Sequence, residues 1–301
     1  MPLDLFRAAP KLPSNPVPSD MRFITAGSFT MGSDHLYPEE APPRSVAVDG
    51  FWIDTTPVTN IEFEAFVDAT GYETTFERSH RGSLVFERPG PDIDLRQWGT
   101  WWRQIEGTDW RHPLGPQSDL DGRMEHPVVH VSHEDALAYA TWCQKALPTE
   151  AVWEYAARGG LDSADYAWGN DLAPRGRQMA NLWQGAFPYE NLVEDGFPGT
   201  SLVRAFPPNG YGLYDMAGNV WEWTADTWQE TGDSAEPMDC CAPVNPRLGA
   251  MLASTSVRRV LKGGSHLCAR NLNHRYRPSA RQPELSNRTT NDIGFRCVYR
   301  P

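Results

Sequence analysis

The sequence predicts an irregular α+β domain with little regular secondary structure, and three observations carry that expectation. The 25 glycines and 26 prolines among 301 residues are spread along the chain, which describes a turn-rich fold rather than a low-complexity tract. Twelve tryptophans are many for this length, and large amphipathic rings hold a loop-rich core together where long helices are missing. Apolar residues recur at a helical period in only a few short, capped stretches.

In chain order, the proline-rich residues 1–20 are expected to form an extended arm. Met21-Arg-Phe-Ile-Thr25 and Gly27-Ser-Phe-Thr-Met-Gly32 read as two short strands, and Ser45–Asp54 alternates well enough for a second pair. Thr59-Asn-Ile-Glu62 is a capping box, followed by Phe63, Phe66 and Val67. It predicts a helix over about 60–69, stopped at Gly71. Residues 72–125, with Trp98, Trp101, Trp102 and Trp110, read as a long irregular region pinned by aromatics, and such loops are uncommon unless functional. His126-Pro-Val-Val-His-Val131 reads as a strand. Ser132 then caps a helix with Ala136, Leu137, Tyr139, Ala140 and Cys143 on its apolar side. Thr149 caps another, which ends at Gly159-Gly160. Loops and short strands complete the chain.

The length suggests about two domains at roughly 150 residues each. A net charge of −12 argues against a nucleic-acid groove. No apolar run approaches the roughly 18 residues of a membrane helix. The N-terminus lacks the pattern of a signal peptide, so a cytoplasmic protein is expected, and a monomer. Five cysteines in such a chain are read as buried, metal-binding or catalytic before they are read as disulfides.

Three stretches carry chemistry. Asp215-Met-Ala-Gly-Asn-Val-Trp-Glu-Trp223 places two carboxylates about a glycine turn able to aim carbonyls inward, a donor set that suits Ca²⁺; a plain turn with solvated acids is the alternative. Asn181 with Glu194-Asp195 flanks a loop that suits a cation or a pair of Asx-turns. Lys262-Gly-Gly-Ser-His-Leu-Cys268 brings a thiol close to His274, Arg275 and Arg277. That setting can lower a thiol's pKa and make it reactive or metal-binding, while the alternative is a buried structural cysteine. Cys240 and Cys241 are adjacent and read most simply as reduced thiols, and Cys143 and Cys297 as core thiols. His126, His130 and His133 do not make a convincing metal set.

Ten motifs then stand in a characteristic order: Gly27-Ser-Phe-Thr-Met-Gly-Ser33, Thr56-Pro-Val-Thr-Asn60, His126-Pro-Val-Val-His-Val-Ser132, Leu147-Pro-Thr-Glu150, Trp153-Glu-Tyr-Ala-Ala-Arg-Gly-Gly160, Tyr166-Ala-Trp-Gly169, Pro208-Asn-Gly-Tyr-Gly-Leu-Tyr214, Gly218-Asn-Val-Trp-Glu-Trp223, Lys262-Gly-Gly-Ser265 and Gly294-Phe-Arg-Cys297. Over about residues 22–300 they resemble the formylglycine-generating enzymes, or sulfatase-modifying factors. The resemblance implies one domain over 21–301, a variant of the C-type lectin fold, and displaces the two-domain expectation. It implies oxidation of a cysteine in a Cys-X-Pro-X-Arg segment of a sulfatase to formylglycine with O₂ and Cu(I), with no nucleic acid or membrane involved. It also implies two structural Ca²⁺ ions. The first falls at Asn181, the Leu182 carbonyl, Asp195 and the Phe197 carbonyl; the second at Asp215, the Gly218 and Val220 carbonyls, and Glu222.

The sequence departs from this family at the site itself. The family's copper-binding cysteines lie five residues apart; here Cys268 fills the first place and Asn273 the second. An amide is a hard ligand and does not replace a thiolate on Cu(I). Ser265 and Trp221 match the family's oxygen pocket, and Arg275 and Arg277 are expected to meet substrate. Three readings follow: an oxidase with a one-thiol copper site completed by the substrate sulfur, a non-catalytic protein that binds cysteine-containing segments, or an oxidase of another substrate on the same scaffold.

Overall fold

The computed structural model describes residues 20–79, 81–90, 99–230, 242–246 and 257–300. The arm expected over 1–20 (Asp20 apart), Trp98, Cys240 and Cys241 lie outside the described residues.

Four short strands open the fold: β1 (Met21–Ile24), β2 (Gly27–Met31), β3 (Arg44–Val48) and β4 (Phe51–Asp54). Their alternation decides their faces, with Val46, Val48, Phe51 and Ile53 turned inward. Helix α1 (Asn60–Thr70) begins where both Thr59 N and Oγ1 donate to Glu62 Oε2, at 2.8 and 2.7 Å, and ends at a left-handed Gly71. The region expected to be wholly irregular contains a one-turn helix, α2 (Thr75–Ser79), and an antiparallel pair, β5 (Ser83–Phe86) with β6 (Trp102–Ile105). The strand expected at 126–131 does not form. His130 sits at φ +60°, which breaks the extended run, and one bridge from Thr59 to Pro127 remains.

Helix α3 (His133–Trp142) is capped reciprocally by Ser132 and Asp135, and α4 (Glu150–Arg158) by Thr149 before it stops at left-handed Gly159. The rest is loop until β7 (Trp221–Thr227), β8 (Arg258–Lys262), β9 (Gln282–Leu285), β10 (Ile293–Gly294) and β11 (Val298–Tyr299). β7, β8 and β9 form an antiparallel sheet with β10 added in parallel beside β7, while β11 joins β4 opposite β1.

Aromatics knit these pieces. One core gathers α1 and α3 around Phe63, Trp110, Tyr139, Trp223 and Phe295; a second packs α4 against β2–β4 through Trp153, Phe29 and Phe51. The inner face of α4 is charged. Lys262, wholly buried, meets Glu154 at 3.0 Å and Glu150 at 3.6 Å; Glu150 also pairs with Arg281, and Glu154 with Arg158. Burial opposes the charge on Glu154, but Lys262 and Arg158 outweigh it and hold the carboxyl below its ordinary value. This network pins the end of β8 just before Gly263 and Gly264. Both have positive φ, and a Cβ on Gly264 would stand 3.0 Å from the Arg275 carbonyl oxygen.

Candidate active site

Beyond that glycine pair the chain turns sharply, with the Cys268 amide donating to the Ser265 carbonyl at 2.9 Å and the Ser265 amide to Cys268 Sγ at 3.4 Å. The turn is braced from behind. His266 N donates to the Asn219 carbonyl and Asn219 N to the Asn181 carbonyl, while Trp183 N donates to the Cys268 carbonyl. Cys268, Ser265, Trp221 and Asn273 therefore line one cavity of about 240 Å³, walled by Trp101, Trp102 and Phe187. The structure brings together these four residues, which are 52 positions apart at the extremes.

The electrostatics differ from the expected lowered thiol pKa. Cys268 is buried, and burial pushes its pKa up to about 12; the Ser265 amide opposes this, the Asp292 charge adds to it, and Arg275 is too weak to reverse it. Ser265 gives its hydroxyl proton to Asp292 Oδ2 at 2.8 Å, and Thr290 donates to the other oxygen at 2.5 Å. The Ser265 oxygen also accepts from Leu267 N at 3.3 Å, so it presents its remaining lone pair rather than a proton to anything beside it. Asp292 was not singled out in the sequence. Its signal is its place two residues before the Gly294-Phe-Arg-Cys297 motif.

Arg275 and Arg277 do not line this cavity. Arg277 is buried, bonded to Glu40, Ser279 and the His274 carbonyl, and Arg275 pairs with Glu39 and lies over the Tyr37 ring. Both instead tie the 37–40 segment to the loop after Cys268. His126, His130 and His133 also go separate ways, to Thr200, to Ser83 and the Pro113 carbonyl, and to the Thr224 carbonyl. Cys297 is a core thiol, and half-buried Cys143 donates its Sγ–H to the Ala140 carbonyl at 3.4 Å.

Among the described residues no group of three or more His, Cys, Asp or Glu side chains converges on one point. Ions in the two oxygen-rich loops would therefore depend on amides and carbonyls too. The first loop fits such an ion: Asn181 is 1% exposed and among the described residues its Oδ1 has no partner, while Asp195, bonded to the neighbouring Leu182 amide, accepts there only from Leu182 N, Phe197 N and Gln184. In the second, Asp215 accepts from Arg204 N at 3.0 Å and from Asn219 at 3.4 Å, and burial raises its pKa. Glu222 is already engaged by Arg296 and by the Trp153 indole N–H, each at 2.7 Å. The copper expectation fares differently. The described cavity holds one thiol, and Asn273 Oδ1 is turned to the Arg275 amide at 3.1 Å, so a site closed by two thiolates of this chain does not fit it.

Fold and site together define a C-type-lectin-like domain of mixed short helices and sheets, with a buried thiol on the floor of an aromatic-walled cavity. The chain belongs to the formylglycine-generating enzyme family: residues 6–301 match the sulfatase-modifying factor enzyme 1-like domain. It is 48% identical over 293 residues to the formylglycine-generating enzyme of Mycobacterium tuberculosis, covering 92% of this chain and 97% of that one. It is 41% identical over 289 residues to the inactive C-alpha-formylglycine-generating enzyme 2 of Bos taurus, covering 91% and 86%. Its fold is similar to that of PvdO from Pseudomonas aeruginosa, with a TM-score of 0.66 at 25% identity, covering 92% and 93%.

Proposed function

We propose that this chain is a formylglycine-generating oxidase acting on a cysteine of a sulfatase-type polypeptide, with Cys268 as its only family-matched thiol. The observation that carries the reading is the convergence of Cys268, Ser265 and Trp221 in one cavity. Cys268 would hold Cu(I), which would supply the activation of O₂. The chain's residues do the rest. The aromatic walls exclude water, Trp221 shapes the space beside the thiol, and Ser265, its proton held by Asp292, accepts a hydrogen bond from a group in the cavity. Asn181, Leu182, Asp195 and Phe197, and Asp215, Gly218, Val220 and Glu222, would hold Ca²⁺ in the loops that brace the Cys268 turn. Purified protein, Cu(I) and a Cys-X-Pro-X-Arg peptide incubated in air should yield the mass of the aldehyde. Cys268→Ala should abolish it, and Ser265→Ala should slow it by about 10²–10³, the usual scale for one well-placed polar contact.

One observation favours a second reading, a non-catalytic binder of cysteine-containing segments: an amide stands where the second thiol would be. Peptide binding with no mass change under any metal supplied would establish it.

A further inference from the structure

Arginines near the cavity are almost all committed. Arg275 pairs with Glu39, Arg277 with Glu40, Arg281 with Glu150 and Arg296 with Glu222. Arg288 is the exception. It lines the Cys268 cavity, its Nε is buried without a partner, and no ion pair or hydrogen bond joins its guanidinium to any described residue. Its backbone is held firmly, by its own amide on the Leu285 carbonyl at 2.8 Å and by Thr289 and Thr290 beyond it, which bond Ser83 and Asp292. A guanidinium is always charged and presents a planar fork of donors, so an unpaired one at a cavity wall is a prepared receptor for a carboxylate.

Two acids share the cavity. Asp292 has both oxygens occupied by Ser265 and Thr290. Glu284 forms no ion pair with Arg288: burial raises its pKa against the opposing pull of the Leu285 amide and the Arg288 charge, and its Oε1 accepts from Leu285 N at 2.8 Å. The permanent charge left for an incoming group is that of Arg288.

We propose that Arg288 is a specificity-determining residue that selects substrate segments carrying a carboxylate side chain beside the reactive cysteine. This rests on reading the Cys268 cavity as the substrate site. In a cavity of about 240 Å³ the acid must lie within a residue or two of the cysteine, since each extended residue spans about 3.3 Å.

The test measures dissociation constants anaerobically for capped peptides in which Asp, Asn or Lys occupies, in turn, each position flanking the cysteine. At one position wild type should bind the Asp peptide about tenfold more tightly than the Asn peptide, the scale of one charge-assisted hydrogen bond. In Arg288→Gln that ratio should fall to about one, and Arg288→Lys should keep part of it; a ratio is insensitive to any general loss of folded protein. Equal binding of Asp and Asn peptides at every position, tighter binding of a Lys peptide, or a preference surviving in Arg288→Gln overturns the proposal while leaving the cavity reading intact. Failure of all peptides to bind overturns both.

Discussion

The block behind the cavity and the surfaces in front of it treat charge in opposite ways. Behind, Lys262, Glu150, Glu154, Arg158 and Arg281 are buried and paired with one another. In front, no ion pair joins Arg288 on the cavity wall to any described residue, and in the bracing loop Asn181 Oδ1 is buried with no partner among the described residues. A buried polar atom without a partner loses the full desolvation energy of that group, so a fold tolerates it where a ligand completes the bonding. The paired block sets the shape of the turn from Gly263 to Cys268, and the unpaired groups mark where something else arrives.

The largest effect should come from opening the paired block. Lys262→Met leaves Glu150 and Glu154 facing each other's charge in the interior, with Arg158 and Arg281 as their remaining cations, and should destabilise the protein by about 3–5 kcal/mol. Denaturant unfolding would measure it, and a loss under about 1 kcal/mol would mean that the block is not the frame claimed for it. Next is the open loop. If Ca²⁺ completes Asn181 and Asp195, chelation should lower stability by about 2.7 kcal/mol when the ion was present at 100 times its Kd, and Asn181→Ala should shrink that difference. Indistinguishable melting curves for calcium-loaded and metal-free protein would put the orphaned amide down to packing alone.

A third effect is graded with pH, so it is small just below pH 6.5, and it belongs to two buried histidines. Burial lowers the pKa of His130 to about 4 and of His133 to about 3, from an ordinary value of 6.5. The folded state holds both rings neutral, so between 6.5 and these values the unfolded chain binds more protons. The contribution is complete above pH 6.5 and is lost as pH falls through the window, at up to about 1.4 kcal/mol per pH unit for each histidine. Unfolding free energies between pH 7 and 5 should fall accordingly, and His130→Asn should flatten the slope. A slope unchanged by that variant would assign the acid sensitivity elsewhere.

Local signals located the helices closely. The Thr59–Glu62 box, Ser132 and Thr149 each start a helix where expected, and Gly71 and Gly159 stop two of them, because a cap is satisfied within four residues of itself. The hairpin of β5 and β6 escaped notice because 15 residues separate its strands and its pairing is not announced by a tight turn. The failed strand at 126–131 turned on a single positive φ at His130, whose ring is bonded to Ser83 and to the Pro113 carbonyl.

The sequence by itself determined the family, the ten ordered motifs and the amide standing at Asn273 in place of a thiol, since all of these are properties of residue identity and spacing. Tertiary structure alone decided what the charged groups do. Arg275 and Arg277 lie beside Cys268 in the chain, yet their partners are Glu39 and Glu40, 236 and 237 residues away. The same holds for the thiol, whose neighbours in sequence suggest an acidic pKa and whose burial imposes the reverse. Arg288 and Asp292 are ordinary residues of a polar loop until β9 and β10 carry them to the cavity wall. Burial and long-range pairing outweigh sequence proximity because the energy of a charge is set by the dielectric and the groups around it in space, which chain spacing does not encode.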